Sequence, residues 1–347
     1  MKIAISAGGT GGHIYPGIAL ARELAGRGED REIFFIGSKN GLEGRLLKDQ
    51  NFKLYQVPSR SFSANFLTAP FVNIVGLVMA FLLLLRERPA VLVSFGGYTS
   101  FAAVVSAWLL KVPVVIHEQN ILPGKTNRFL SRFAGAVALS FEPSLKYLKG
   151  MVTGNPVRKE IRGLKKVPSK KWVVLILGGS QGALSINREL ICSLDLFRDK
   201  NIEIVHLIGK RDYAAFYGSR DFSAYPFYQP VPYMYNIEEA YKRAHLVVSR
   251  AGATAIAEIL SVSLPSILVP FPYAAEGHQD LNAEYVERAG AGIKLPDSRL
   301  IELPDIIFEL LENKEGRLDK MSRAAAFLAK PDAAAKLADI VEGLAKA

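Results

Sequence analysis

Four glycine pairs stand at the ends of apolar runs: Gly8-Gly9, Gly11-Gly12, Gly96-Gly97 and Gly178-Gly179. Residues without a β-carbon let the backbone approach a phosphate closely, and a helix that follows offers free N–H groups and the positive end of its dipole. In parallel α/β sheets, the carboxyl ends of strands are where ligands bind. One such loop can serve packing alone, but several in both halves point to phosphorylated ligands bound across a cleft. His13 follows the first two pairs directly. An imidazole titrating near neutrality suits a general base, although a histidine at a helix start can equally satisfy local hydrogen bonds. In the second half Arg250 follows another apolar run, and Gly252-Ala253-Thr254 opens a helix, an anion site of the same kind. Thr254 and Glu258 are four apart and share a helix face. A carboxylate there can accept from both hydroxyls of a ribose diol.

The familiar nucleotide motifs are absent. No Gly-x-x-x-x-Gly-Lys-Ser/Thr occurs, which excludes a P-loop NTPase, and Ile14 stands where a dinucleotide fingerprint needs its third glycine. There is no metal-ligand cluster and no Asp-x-Asp to bridge a divalent ion to a diphosphate. A leaving diphosphate must then be stabilised by backbone N–H groups, hydroxyls and arginines, with no metal or other cofactor expected.

These residues need a frame of strands and helices. Lys2–Ser6 predicts a strand, Gly8–Gly12 a turn, and Pro16 the first turn of a helix that stops at Gly28. A strand at Glu32–Ile36 completes a βαβ opening and implies a parallel sheet. Further strands are expected at Val91–Ser94 and Val112–Ile116, the latter ended by His117 and Glu118. The grammar restarts with a strand at Lys171–Leu177, a turn at Gly178–Gly182 and a helix, then strands at Glu203–Ile208, Leu246–Ser249 and Ser266–Val269. Gly154-Asn155-Pro156 and the polar stretch 158–171 read as a linker. The expectation is an α/β chain of two Rossmann-like domains facing across a cleft, with residues 1–157, 158–325 and a C-terminal helix, 326–347, returning to the first domain. His206 is expected to be a satisfied core residue, and His245 a feature of a helix end.

At 347 residues both domains can bury a core, and 50% hydrophobic against 22% charged residues excludes global disorder. A single cysteine, Cys192, fits a reducing cytosol. No apolar h-region follows Met1, so no export signal is expected. The net charge of +10 suggests an anionic partner. With no basic run and no zinc-finger or RNA-recognition signature, nucleic acid is disfavoured against phosphorylated ligands or an anionic membrane surface.

Residues 61–85 carry no charge, and 71–85 are apolar except for Asn73 and Gly76. Fifteen helical residues span about 22 Å, short of a hydrocarbon core of roughly 30 Å, and Pro70 blocks an extension. Spanning would also tear apart the sheet that holds Val91–Ser94. Yet Phe71, Ile74, Val75, Val78 and Leu82 fill one face while Leu77, Phe81 and Leu84 fill another, and a helix on a sheet needs only one apolar face. The surplus face, with Leu77 and Phe81 expected outward and Arg60, Arg86 and Arg88 flanking it, suits shallow insertion into an anionic membrane surface.

The glycine-rich opening Gly8–Gly17 resembles that of the MurG family, as do His117-Glu118-Gln119-Asn120, Gly154-Asn155-Pro156-Val157-Arg158, Gly178–Ala183 and Ser249–Thr254, in the same order. The resemblance covers roughly residues 3–292. It implies the GT-B architecture and inverting transfer of N-acetylglucosamine from UDP-N-acetylglucosamine to the 4-hydroxyl of a lipid-diphosphate-linked muramyl-pentapeptide. The enzyme would be peripheral, on the cytoplasmic face of the cell membrane. It further implies that His13 is the base, with Glu118 as the alternative, and that Asn120 and Asn127 orient the sugars. Thr10, Gly11 and Gly12 would hold substrate oxygens. Arg158, Ser180 and Arg250 would contact the diphosphate, Ala253, Thr254 and Ala255 the donor, and Glu258 the ribose. Met234 would hold uracil through its main chain, and Gln279 would bind sugar hydroxyls. His278 departs from the family's two adjacent glutamines. A UDP-sugar epimerase of the same architecture and a non-catalytic nucleotide-sugar-binding protein are the alternatives.

Overall fold

A computed structural model describes residues 1–39, 41–48, 50–60, 68–179, 182–217, 221–234 and 236–346, with only the backbone of Tyr98, Phe216, Tyr217 and Ala275. Ser180 therefore lies outside the described residues. The chain forms two compact units, Met1–Arg158 with Lys330–Ala347, and Lys159–Ala329.

In the first unit seven short strands form one sheet: β1 (Lys2–Ser6), β2 (Glu32–Ser38), β3 (Lys53–Val57), β4 (Val91–Ser94), β5 (Val114–Glu118), β6 (Ala136–Leu139) and β7 (Met151–Val152). Their order is β3-β2-β1-β4-β5-β6-β7 and every pairing is parallel. β1, β4 and β5 are buried from end to end or nearly so, because helices cover both faces of a parallel sheet. The second unit has β8 (Trp172–Leu177), β9 (Ile202–Leu207), β10 (Tyr228–Val231), β11 (Leu246–Arg250), β12 (Ser266–Val269) and β13 (Gly292–Lys294), ordered β10-β9-β8-β11-β12-β13 and again all parallel. Strand order reverses between β1 and β4 and between β8 and β11. Those are the topological switch points, where crevices open beyond the strand ends.

Several local expectations are corrected. The first helix runs Gly11–Ala25, so Gly11 and Gly12 are helical and Pro16 lies inside the helix. Pro16 has no N–H to donate to the Gly12 carbonyl, so the first turn forms without that bond. The helix stops at Gly26, not Gly28. The strand expected at Val112–Ile116 runs Val114–Glu118, with His117 and Glu118 at its end as expected. Gly154, Asn155 and Pro156 are buried in the first unit and are no linker.

The uncharged segment forms the helix Ala69–Glu87, which begins with Pro70 in its first turn and ends at Arg88 in a left-handed conformation. Nineteen residues make it long and apolar enough to cross a membrane by length and composition, so the length objection raised from fifteen residues falls. It nevertheless links β3 and β4 of one sheet and packs on the helix Tyr98–Leu109. Its buried positions, Ala69, Gly76, Ala80 and Leu84, include its smallest side chains. A β-carbon on Gly76 would lie 2.0 Å from the Pro58 carbonyl oxygen, so only glycine permits this approach. Phe71, Ile74, Val75, Val78, Met79, Leu82 and Leu85 point outward, Phe71 being 74% exposed. Leu77 and Phe81, expected outward, are half-buried instead, one residue round from the exposed stripe.

The C-terminal stretch is two helices, separated at Lys330-Pro331. Arg317–Leu328 stays in the second unit, where the Ser322 hydroxyl donates to the Ser263 carbonyl. Ala333–Lys346 packs on Gly11–Ala25 in the first unit, burying Leu337, Ala338 and Val341 among Ile3, Ile18 and Leu24. Arg27 and Arg31 pair with Asp339 and Glu342 at its edge.

Candidate functional site

At the first switch point the loops after β1 and β4 meet. Gly97, at φ +90, would carry a β-carbon 2.6 Å from the Gly8 carbonyl oxygen, so the two backbones touch where only glycine fits. His13 stands on the first turn of the helix that follows β1, half-buried, and a β-carbon on Gly96 would lie 3.4 Å from its ring. Thr10 precedes the helix with an extended backbone and makes no side-chain capping bond. Thr10 and Gly12 are exposed and Gly11 half-buried, so this loop presents itself to a ligand.

The side chains behind His13 are buried and mutually bonded. His13 Nδ1 lies 3.0 Å from Gln119 Oε1. Gln119 Nε2 donates to the His117 carbonyl at 2.9 Å and lies 3.1 Å from His117 Nδ1. His117 Nε2 meets the Gly154 carbonyl at 3.0 Å. His117 is fully buried, and burial pushes its pKa down to about 4, so the ring is neutral.

Glu118 ends β5 with both carboxylate oxygens occupied. Asn120 N–H and Nδ2 donate to Oε1 (2.9 and 3.4 Å), while Gly124 N–H and Asn127 Nδ2 donate to Oε2 (3.2 and 2.8 Å). Burial raises its pKa against the pull of those four donors. A carboxylate enclosed in this way positions Asn120 and Asn127. Asn127 Oδ1 is buried without a hydrogen-bond partner among the described residues, next to Gly96. Arg158 lies 4.4 Å from the centre of the Tyr15 ring, within the same unit.

In the second unit Gly252 precedes the nine-residue helix Ala253–Ser261 at the end of β11. Ala253 is buried, and Thr254 and Ala255 are half-buried on its first turn. Glu258 is buried one turn on, where the Tyr241 hydroxyl donates to Oε2 at 3.2 Å. Arg250, at the end of β11, is held by internal partners. Its guanidinium pairs with Asp297 at 2.5 Å, donates to the Ser185 hydroxyl at 2.7 Å and reaches the Val269 and Pro270 carbonyls. These bonds tie β11 to the exit of β12. Gln279 gives its oxygen to the Phe271 N–H at 2.9 Å, and Met234 is half-buried just beyond β10. Among the described residues no group of three His, Cys, Asp or Glu side chains is placed to hold a metal ion.

Two supports were not foreseen. Glu43, wholly buried, accepts from the N–H groups of Gly9 (2.9 Å) and Ser38 (3.0 Å) and so fixes the first glycine loop. Asp297 fixes Arg250. The bonds from Gly9 to Glu43 and from Arg250 to Asp297 span long sequence separations, and no local pattern marks them.

A half-buried imidazole beside a glycine loop on one doubly wound unit and a glycine-led helix start on another suit an enzyme of the sugar-nucleotide class with the GT-B architecture. Residues 3–139 match the glycosyltransferase family 28 N-terminal domain and residues 173–339 its C-terminal domain. A UDP-N-acetylglucosamine–N-acetylmuramyl-(pentapeptide) pyrophosphoryl-undecaprenol N-acetylglucosamine transferase of Halothermothrix orenii is 38% identical over 372 residues, covering all of both chains. The chain belongs to this family of N-acetylglucosaminyltransferases. The crystal structure of MurG from Acinetobacter baumannii superimposes with a TM-score of 0.79 at 29% identity, over 99% of each chain. A UDP-N-acetylglucosamine 2-epimerase of Neisseria meningitidis, bound to UDP-N-acetylglucosamine, reaches 0.70 at 17% identity over all of both chains. That likeness shows the fold alone, so architecture does not separate transferase from epimerase. Sequence relationship does.

Proposed function

We propose that the chain moves N-acetylglucosamine from UDP-N-acetylglucosamine to the 4-hydroxyl of undecaprenyl-diphosphate-linked N-acetylmuramyl-pentapeptide, with inversion at the anomeric carbon. The carrying observation is the imidazole of His13, bonded through Nδ1 to Gln119 at the first switch point, in a chain related over its full length to transferases of that name. His13 takes the hydroxyl proton as the acceptor oxygen attacks the anomeric carbon. The bond from that carbon to the diphosphate breaks, and UDP leaves with the electron pair. The start of the helix Ala253–Ser261 offers N–H groups to the departing negative charge. Glu258, one turn on in the same helix, takes the ribose hydroxyls on this reading. On the same reading Thr10, Gly11 and Gly12 hold donor or acceptor oxygens, and Asn120 and Asn127 orient the acceptor and donor sugars.

Transfer of radiolabel from UDP-N-acetylglucosamine to a lipid-diphosphate muramyl-peptide tests the reaction, and it should survive exhaustive chelation. Turnover of the nucleotide sugar without acceptor, or UDP binding without transfer, would point to the epimerase or the binding protein.

The same reading puts the enzyme at the cytoplasmic face of the cell membrane, docked as a peripheral protein on anionic lipid through the outward face of Ala69–Glu87. Most of its large apolar side chains face outward, while three of its four buried positions are alanine or glycine, unlike a core helix. Ile74→Ser with Val78→Ser should weaken binding to anionic vesicles roughly tenfold or more, since each apolar side chain of this size is worth about 1.5–3 kcal/mol when removed from water. Turnover of a water-soluble acceptor analogue should be spared. Unchanged vesicle binding would move the docking surface elsewhere.

A further inference from the structure

The bonding behind His13 leaves one consistent assignment of protons. A carbonyl oxygen only accepts, so the bond from His117 Nε2 to the Gly154 carbonyl requires a proton on Nε2. In a neutral ring Nδ1 is then an acceptor. Gln119 turns its NH₂ group to that nitrogen and to the His117 carbonyl. Flipping the amide would set two oxygens against each other at 2.9 Å and leave Nδ1 facing a lone pair. Gln119 Oε1 therefore faces His13 and, accepting only, requires the proton on His13 Nδ1.

We propose that Gln119, locked by the buried His117, is a positioning residue that holds His13 in its Nδ1–H tautomer and so keeps the lone pair on Nε2, where a base must carry it. The proposal rests on the reading of His13 as the base. It gives His117 and Gln119, buried and out of reach of substrate, a function in the reaction. Because the partner of Nδ1 is an amide and not a carboxylate, the tautomer is set without placing a negative charge beside the imidazole. Proton uptake at Nε2 leaves the Nδ1–H bond to Gln119 intact, so the ring keeps its orientation while its charge changes.

Nitrogen-15 NMR of histidine-labelled enzyme reads the tautomer directly. Assigned by loss of signal in His13→Ala, the wild-type His13 signals should show a protonated Nδ1 and an unprotonated Nε2 above the ring's pKa. A protonated Nε2 in the neutral wild-type ring overturns the proposal, whatever the activity. Gln119→Met keeps length and volume but removes the acceptor. It should let the ring relax towards the Nε2–H form and lower kcat by roughly tenfold or more, up to the loss seen for His13→Ala. The KM for UDP-N-acetylglucosamine should be unchanged. A His13→Ala variant with undiminished kcat sinks the base itself. A dead His13→Ala beside a Gln119→Met with undiminished kcat and the wild-type tautomer sinks only the positioning role.

Discussion

Each unit holds a fully buried histidine that reaches the glycine loop of its own sheet through a side-chain amide. In the first, His117 at the end of β5 bonds Gln119, and Gln119 bonds the half-buried ring of His13. In the second, His206 on β9 lies 2.8 Å from the Tyr228 hydroxyl and 2.9 Å from Asn187 Oδ1. Asn187 Nδ2 in turn reaches the Ile208 carbonyl and Asp212 Oδ2. Asp212 lies directly beneath Gly182, where a β-carbon would come within 2.5 Å of its carboxylate. The inner ends are alike and the outer ends are not. One chain of bonds finishes on an imidazole that a ligand can meet, the other on a carboxylate packed under backbone and paired with Arg211. A buried histidine thus acts as a fixed polar strut, and its part in chemistry is decided by what stands at the far end.

The largest expected difference between the two is catalytic. His13→Ala should lower kcat by roughly 10²–10⁴, the range for a lost general base, with donor affinity nearly unchanged. His206→Gln should lower stability and leave kcat of the folded enzyme within about threefold. Steady-state kinetics beside denaturant unfolding separates the two outcomes. Equal losses of kcat would erase the distinction between a reactive end and a structural one.

A smaller effect should be common to both. Burial holds His117 at about 4 and His206 at about 3, against an ordinary value of 6.5. As pH falls below about 6.5 the unfolded chain takes up protons that the folded chain refuses. The stability these rings contribute is therefore whole above 6.5 and is lost on acidification, down to about 4 for His117 and about 3 for His206. Between those limits each ring should contribute a slope of about 1.4 kcal/mol per pH unit. Denaturant midpoints measured from pH 7.5 to 5 check this. His117→Gln and His206→Gln should each remove one share of the slope, and a flat profile in the wild type would mean that the rings titrate normally when folded.

How far the sequence speaks for these networks follows from the range of the interactions. Lys2–Ser6, Val91–Ser94 and Ser266–Val269 have the bounds expected of them, because a short apolar run closed by glycine or proline is a local signal. β3 (Lys-Leu-Tyr-Gln-Val) and β10 (Tyr-Gln-Pro-Val) went unread, since these outermost strands mix polar with apolar residues and look like loop. The helix beginning at Gly11 was hidden because a glycine pair signals a turn. His13 and Glu258 stand out in the sequence by their spacing to glycine loops, and each lies on the helix that follows such a loop. The bonds of Glu43 to Gly9 and of Arg250 to Asp297 join residues 34 and 47 apart, so no window of sequence shows them. That Asp297 pairs with Arg250 only the folded chain could reveal.

The smallest effect tests the second network at its least reactive member. Tyr228 is buried, and its hydroxyl must be the donor to His206 Nδ1, because Asn187 gives its NH₂ group to Ile208 and Asp212 and so receives the proton of Nε2. Tyr228→Phe removes that donor at nearly constant volume and leaves a buried acceptor unsatisfied, which costs about 1–2 kcal/mol. The ring stays neutral, since nothing around it gains charge, and the bond from Asn187 to Asp212 is untouched. Denaturant unfolding should therefore show the loss in stability while kcat and the KM for UDP-N-acetylglucosamine stay at wild-type values. A raised donor KM in Tyr228→Phe would show that strain in this network reaches the glycine loop at Gly182. The second network would then tune a binding site as the first tunes a base, and the contrast between the two would narrow to one of degree.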